Sequence, residues 1–151
     1  MSEAPEPTQA EHVILLRHAQ VDTAFKGDER DRPLSTAGKA AARKAARDIF
    51  GEGHHPGPLL VSTALAARQT AEIMVAELHI DIDVVYSDQL YGAPPELLEA
   101  QLRVQAVAYT LVTLIAHNPG LTDLARFLAS NGQAPVMRPA EWRYLPWPPT
   151  R

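Results

Sequence analysis

The segment Val13-Ile14-Leu15-Leu16 is apolar at every position and runs directly into Arg17-His18. A strand with one wet face alternates apolar and polar residues. A strand that is apolar throughout has to be covered on both faces, which points to the interior of a mostly parallel sheet. His12–Arg17 is therefore the first predicted strand. Runs of similar kind return at Leu59–Ser62, Asp83–Ser87 and Thr110–Ala116. Between them lie segments with helix spacing. Ser35 or Thr36 can cap an Ala/Arg/Lys-rich helix reaching Phe50, which the Gly/Pro cluster 51–58 ends. Ser62 or Thr63 can cap a second helix, Ala64 to Leu78, with Leu65, Ile73, Met74, Val75 and Leu78 on one stripe. Pro94-Pro95-Glu96 opens a third, reaching about Val107. Pro119 opens a fourth, which reaches about Ser130 before Asn131-Gly132. This β-α alternation with short connections predicts an α/β fold: a mostly parallel sheet between two helical layers, three-layer α/β/α.

Composition narrows the function. The chain has 151 residues, one domain's worth, and 46% of them are hydrophobic, enough for a packed core. The net charge of −4 argues against a nucleic-acid partner. No run approaches the roughly 20 apolar residues of a membrane helix, and no targeting signal is visible, so a cytoplasmic protein without a membrane partner is expected. There is no cysteine, which excludes disulfides, thiolate metal sites and a cysteine nucleophile. Residues 1–11 read as a flexible arm, 12–132 as the folded domain and 133–151 as a divergent tail. That tail holds five of the 13 prolines and both tryptophans. Glu141–Leu145 is its one candidate strand, confined to a sheet edge by the flanking prolines. The alternative use of the tail is to bind a partner through its aromatic residues.

In a parallel α/β sheet, ligands bind beyond the carboxyl ends of the strands. The first strand ends in Arg17-His18, the second in Ser62-Thr63 with Arg68 a turn later, and the fourth in His117-Asn118-Pro119-Gly120. Two arginines and two histidines at equivalent strand ends suit an anion with several oxygens, such as phosphate.

These residues carry a resemblance. Leu15-Leu16-Arg17-His18-Ala19 resembles the Arg-His-Gly signature of the histidine phosphatase superfamily, whose fold is called phosphoglycerate mutase-like. Asp31-Arg32-Pro33-Leu34-Ser35-Thr36-Ala37-Gly38 is similar to its Arg-Pro-Leu segment, and Ser62…Arg68-Gln69-Thr70-Ala71 to its Ser/Arg/Thr-Ala block. Ile115-Ala116-His117-Asn118-Pro119-Gly120 resembles the His-Asn-Pro segment of the SixA-like phosphohistidine phosphatase branch. The resemblance implies that His18 is a nucleophile forming a phosphohistidine intermediate, with Arg17, Arg68 and His117 binding phosphate oxygens. It implies no metal and no cofactor. Arg17 and Arg68 should both lower the pKa of His18, and a backbone carbonyl should fix its tautomer. Candidates for a general acid are Asp22, Asp88 and Glu96. Ala19-Gln20 stand where many relatives have Gly-Glu, which argues against a mutase.

The chain is too short for the lid segments of larger relatives, so an open pocket is expected. The expected substrate is phosphohistidine in a protein or a small phosphate ester, hydrolysed slowly and broadly. Two other readings stand beside this one. The same pocket could serve a non-catalytic phosphate- or phosphoprotein-binding module, although a pure binding site has no need of a nucleophile. A metal hydrolase would use His18, His117 and the His54-His55 pair, but His54-His55 lacks a nearby carboxylate and Arg17 would repel a cation.

Overall fold

A computed structural model describes residues 9–149. Strands β1 (His12–Arg17), β2 (Leu59–Ser62), β3 (Val84–Ser87), β4 (Leu111–Ala116) and β5 (Trp142–Pro146) form one sheet in the order β3-β2-β4-β1-β5. Helices α1 (Thr36–Gly51), α2 (Leu65–Leu78), α3 (Pro95–Ala106) and α4 (Gly120–Leu128) connect them. The first four strands are parallel, and β5 runs antiparallel to β1. The element sequence matches the predicted one, with boundaries shifted by a residue or two.

The unbroken apolar runs are explained by position. β1 and β4 are the central pair, and Val13 through Leu16 are fully buried. Alternate residues serve opposite layers. Val13, Leu15, Val112 and Leu114 pack with Leu98 and Leu102 of α3 and Leu121, Leu124 and Leu128 of α4. Ile14, Leu16 and Ile115 pack with Ala45, Ala46 and Ile49 of α1 and Ala67, Ala71 and Met74 of α2. Each fully buried Leu, Ile or Met contributes about 1.5–3 kcal/mol relative to exposure, so this double coverage is the main driving force for the fold. Among the described residues, no helix is long and apolar enough to cross a membrane.

Ser35 caps α1, its Oγ accepting from the Gly38 amide at 2.9 Å. The predicted cap of α2 is different: neither Ser62 nor Thr63 takes that place. Ala64 does, with no side-chain cap; Thr63 Oγ1 donates to Asp88, and Ser62 Oγ meets His117 while accepting from the Ala64 amide at 3.3 Å. The end of α4 also differs. The helix stops at Leu128, and Ser130, not Gly132, adopts the left-handed conformation (φ 53°).

The segment read as a tail is part of the core. β5 is the predicted edge strand, with Pro146 at its end. Met137, Leu145 and Trp147 are buried in the α3/α4-side cluster, and Trp142 packs against the opposite one. Both tryptophans therefore pack against this chain's own core. Ala10 is also buried, its amide donating to the Ala106 carbonyl at 2.8 Å, while residues 1–8 of the expected arm lie outside the described residues.

Two glycines allow backbone to approach a helix start. A Cβ on Gly38 would lie 2.0 Å from the Gln20 carbonyl oxygen, and one on Gly120 would lie 2.0 Å from that of Ala93. Backbone cannot yield as a flexible side chain would. Gly38→Ala and Gly120→Ala should each cost about 1–3 kcal/mol through overpacking. Urea unfolding checks this. An unchanged midpoint in either variant would show that these approaches are not tight.

Candidate active site

The register Arg17↔Ala116 between β1 and β4 ends both strands level. The next residue on each chain is a histidine, and the His18 and His117 rings stand 5.0 Å apart, edge to face. Both line a cleft of about 380 Å³ together with Arg17, Glu29, Arg32 and Tyr91. Ala64 and Ala66 supply its wall from the start of α2, and with no side-chain cap there, the first-turn amides of that helix are left for an anion.

His18 is oriented by its neighbour. Nδ1–H donates to the Ala19 carbonyl at 2.9 Å, so Nε2 carries the lone pair. Ala19 is itself held, its amide donating to Thr70 Oγ1 at 3.1 Å. Burial is the largest cause lowering the His18 pKa, and the charge of Arg17 adds to it. The Ala19 hydrogen bond and the charge of Glu29 oppose. The expected contribution of Arg68 is not among the causes. Arg68 turns its Nε to the Thr63 carbonyl (3.0 Å), and the α2 start meets the cleft through Ala64 and Ala66 instead.

His117 contacts Ser62 Oγ through Nε2 at 2.8 Å and packs edge-on against Tyr91 (5.3 Å, 89°). Burial first, then the neighbouring His18, Arg17 and Arg30, lower its pKa to about 4. Arg17 donates from a terminal nitrogen to the Met137 carbonyl at 3.0 Å, while its buried Nε has no hydrogen-bond partner among the described residues. The same carbonyl accepts from Asn118 Nδ2 at 3.0 Å, and Asn118 Oδ1 accepts from the amide and hydroxyl of Thr122. The loop before β5 thus buttresses two strand ends at once.

The three candidate acids are not brought into the cleft as donors. Asp88 is exposed and accepts from Thr63 and Arg30; the Thr63 hydrogen bond, then Arg30, holds its carboxyl below its usual pKa, so it is an ionised acceptor. Glu96 lies at the start of α3 and lines a separate groove with Asp123 and Leu124. Asp22 accepts from the Ala24 amide in a local turn. Glu29, which sequence reasoning did not single out, is the carboxylate that lines the cleft. Arg32 was visible in the Arg-Pro-Leu segment but given no role. It donates to Glu29 and to the carbonyls of Asp22 (2.7 Å) and Phe25 (3.1 Å), which organises the loop after β1. His54 packs edge-on against Tyr144 of β5 (4.2 Å), and His55 Nδ1 accepts from the Gly57 amide. Among the described residues, no group of three or more His, Cys, Asp or Glu could hold a metal ion.

Both histidines should be neutral at pH 7. The folded pKa of His117 lies below its ordinary 6.5, so the unfolded chain takes up a proton first as pH falls. Its contribution to stability is full above about pH 6.5 and is lost between there and about pH 4. NMR of the imidazole nitrogens should show His117 titrating near pH 4 and moving upward when phosphate binds. Titration near 6.5 without ligand would contradict the buried, cation-flanked site.

Comparison with known proteins gives this site a family. Residues 13–91 match the profile of the histidine phosphatase superfamily (branch 1). An uncharacterised protein of Picosynechococcus is 32% identical over 119 residues, covering 78% of this chain and 72% of that protein. An uncharacterised protein of Mycobacterium tuberculosis is 30% identical over 115 residues, covering 76% and 70%. The crystal structure of a protein named as the phosphohistidine phosphatase SixA of Agrobacterium tumefaciens superposes with a TM-score of 0.81 at 28% identity, over 93% of this chain and 92% of that one. The protein histidine phosphatase SixA complexed with tungstate shares the fold at a TM-score of 0.79 and 23% identity, over 88% and 86%. A strand-end Arg-His pair facing a second histidine, on a phosphoglycerate mutase-like sheet, is thus accounted for: the chain belongs to the histidine phosphatase superfamily, in its SixA-like branch.

Proposed function

We propose that this phosphatase works through phosphorylated His18 and acts on phosphohistidine in proteins or on small phosphate esters. The observation that carries this reading is the Nδ1–H···O=C bond to Ala19, which presents the Nε2 lone pair to the cleft beside His117 and Arg17. Nε2 attacks phosphorus in line, the bond to the leaving group breaks, and a phosphohistidine forms. Arg17, His117 and the first-turn amides of α2 bind the equatorial oxygens. Arg68 is assigned to the same task through its terminal nitrogens. The unpartnered Nε of Arg17 is a buried donor for which a bound oxyanion supplies the missing acceptor. With cationic side chains in these places, the reaction needs no metal.

Substrate class follows from shape. Only α3 and short loops separate β3 from β4, and no further segment is inserted there as a lid. An open cleft admits a phosphorylated side chain displayed on a protein surface, and it retains a small ester weakly. The likeness to SixA supports the phosphohistidine side of this reading.

Incubation with p-nitrophenyl phosphate and with a phosphohistidine peptide tests it, with an alkaline denaturing quench to retain phosphoenzyme. The wild-type chain should turn over both and carry label on His18, with no loss in EDTA. His18→Ala should fall by at least about 10³-fold. Phosphate binding without turnover, or equal turnover by His18→Ala, would refute the enzyme reading. Activity abolished by a chelator would refute metal independence.

A further inference from the structure

We propose that Glu29 is the general base of the second half-reaction, taking the proton from the water that hydrolyses phosphorylated His18. This rests on the phosphatase reading above. Glu29 is the single carboxylate among the described residues lining the cleft with His18, and its charge acts on that imidazole. Its side chain is 65% exposed, so water reaches it.

The carboxylate is held in place by Arg32. Arg32 Nε donates to Oε1 and Oε2 at 3.0 and 2.9 Å, and a terminal nitrogen of Arg32 lies 2.9 Å from Oε2. Arg32 is pinned in turn by the Asp22 and Phe25 carbonyls. The backbone at Glu29 forms a 3-10 turn, Glu29–Asp31, capped by Asp28. From that turn Arg30 reaches across to Thr63 Oγ1 (2.7 Å) and Asp88 (3.1 Å) and lies over the Tyr91 ring (4.6 Å). The loop carrying Glu29 is thereby tied to the ends of β2 and β3, across the cleft from where it starts.

Charge selects the role. The hydrogen bonds from Arg32 keep Glu29 ionised, so it accepts protons rather than donating them. Arg32 also offsets the repulsion a bare carboxylate would exert on phosphate. In the step, the water oxygen bonds to phosphorus and its proton passes to the Glu29 carboxylate. The Nε2–P bond breaks with its electron pair returning to Nε2, and inorganic phosphate leaves. Glu29 then releases the proton to solvent.

p-Nitrophenyl phosphate isolates this step, because nitrophenolate leaves without protonation. Rapid mixing of Glu29→Gln should release about one equivalent of nitrophenolate per enzyme in a burst. Steady-state turnover should then be about 10²–10⁴-fold below wild type, with alkali-stable phosphoenzyme accumulating. Glu29→Asp should recover part of the rate. Glu29→Gln keeps the carbonyl anchors of Arg32, and an unchanged unfolding midpoint verifies its fold. Wild-type-like turnover in Glu29→Gln, or equal slowing of burst and steady state, overturns the base assignment alone. A wild-type chain that forms no phosphoenzyme overturns the phosphatase reading and the base assignment together.

Discussion

The parallel pairing of β1 with β4 is the constraint on which the rest depends. Its register, Arg17 opposite Ala116, sets His18 and His117 level at the carboxyl end of the sheet. A slip of one residue would turn each buried side chain to the opposite helical layer, so the core itself enforces the register. The energy that holds the two histidines together thus comes from Val13–Leu16 and Val112–Ala116, which are fully buried and lie outside the cleft. Catalytic geometry here is a by-product of apolar packing on both faces of two strands.

Burial has a second consequence. Both imidazoles sit where desolvation and nearby cations disfavour the proton, and this gives His18 a free lone pair. An Arg17 nitrogen is also buried without a hydrogen-bond partner among the described residues. Under the reading proposed above, a bound phosphoryl group would answer both: it would supply an acceptor to the arginine and negative charge to the cluster.

Much of the fold was legible from local pattern. Residues 12–17 and 59–62 could be bounded to the residue because apolar runs abut charged or polar ends. Arg17 could be nominated because a charge directly after a buried strand has few structural uses, and His18 and His117 because they stand with it at equivalent strand ends. Other features were not legible. Asp88 and Glu96 were candidate acids, yet one is ion-paired with Arg30 and the other faces a different groove. Glu29 lies in a charge-dense loop with no periodicity, where nothing local separates a pocket carboxylate from a solvated one. The start of α2 shows the same limit: Ser62 and Thr63 have the right chemistry, but each hydroxyl also meets a distant partner, His117 or Asp88, and neither residue is the cap.

The amino-acid sequence by itself determined the layer architecture, the strand ends and the cationic character of the site, since hydrophobic periodicity and the residue following each strand are local properties. Tertiary structure alone decided three other matters. It made the loop before the predicted edge strand brace Arg17 and Asn118 through one carbonyl of Met137. It turned Arg68 towards Thr63 and brought Glu29 to the cleft in place of the nominated acids. It also set the order of causes on His18, with burial ahead of charge. The physical reason is common to all three. Each depends on which distant group reaches a donor or acceptor first, and that competition is settled only when the chain has closed on itself.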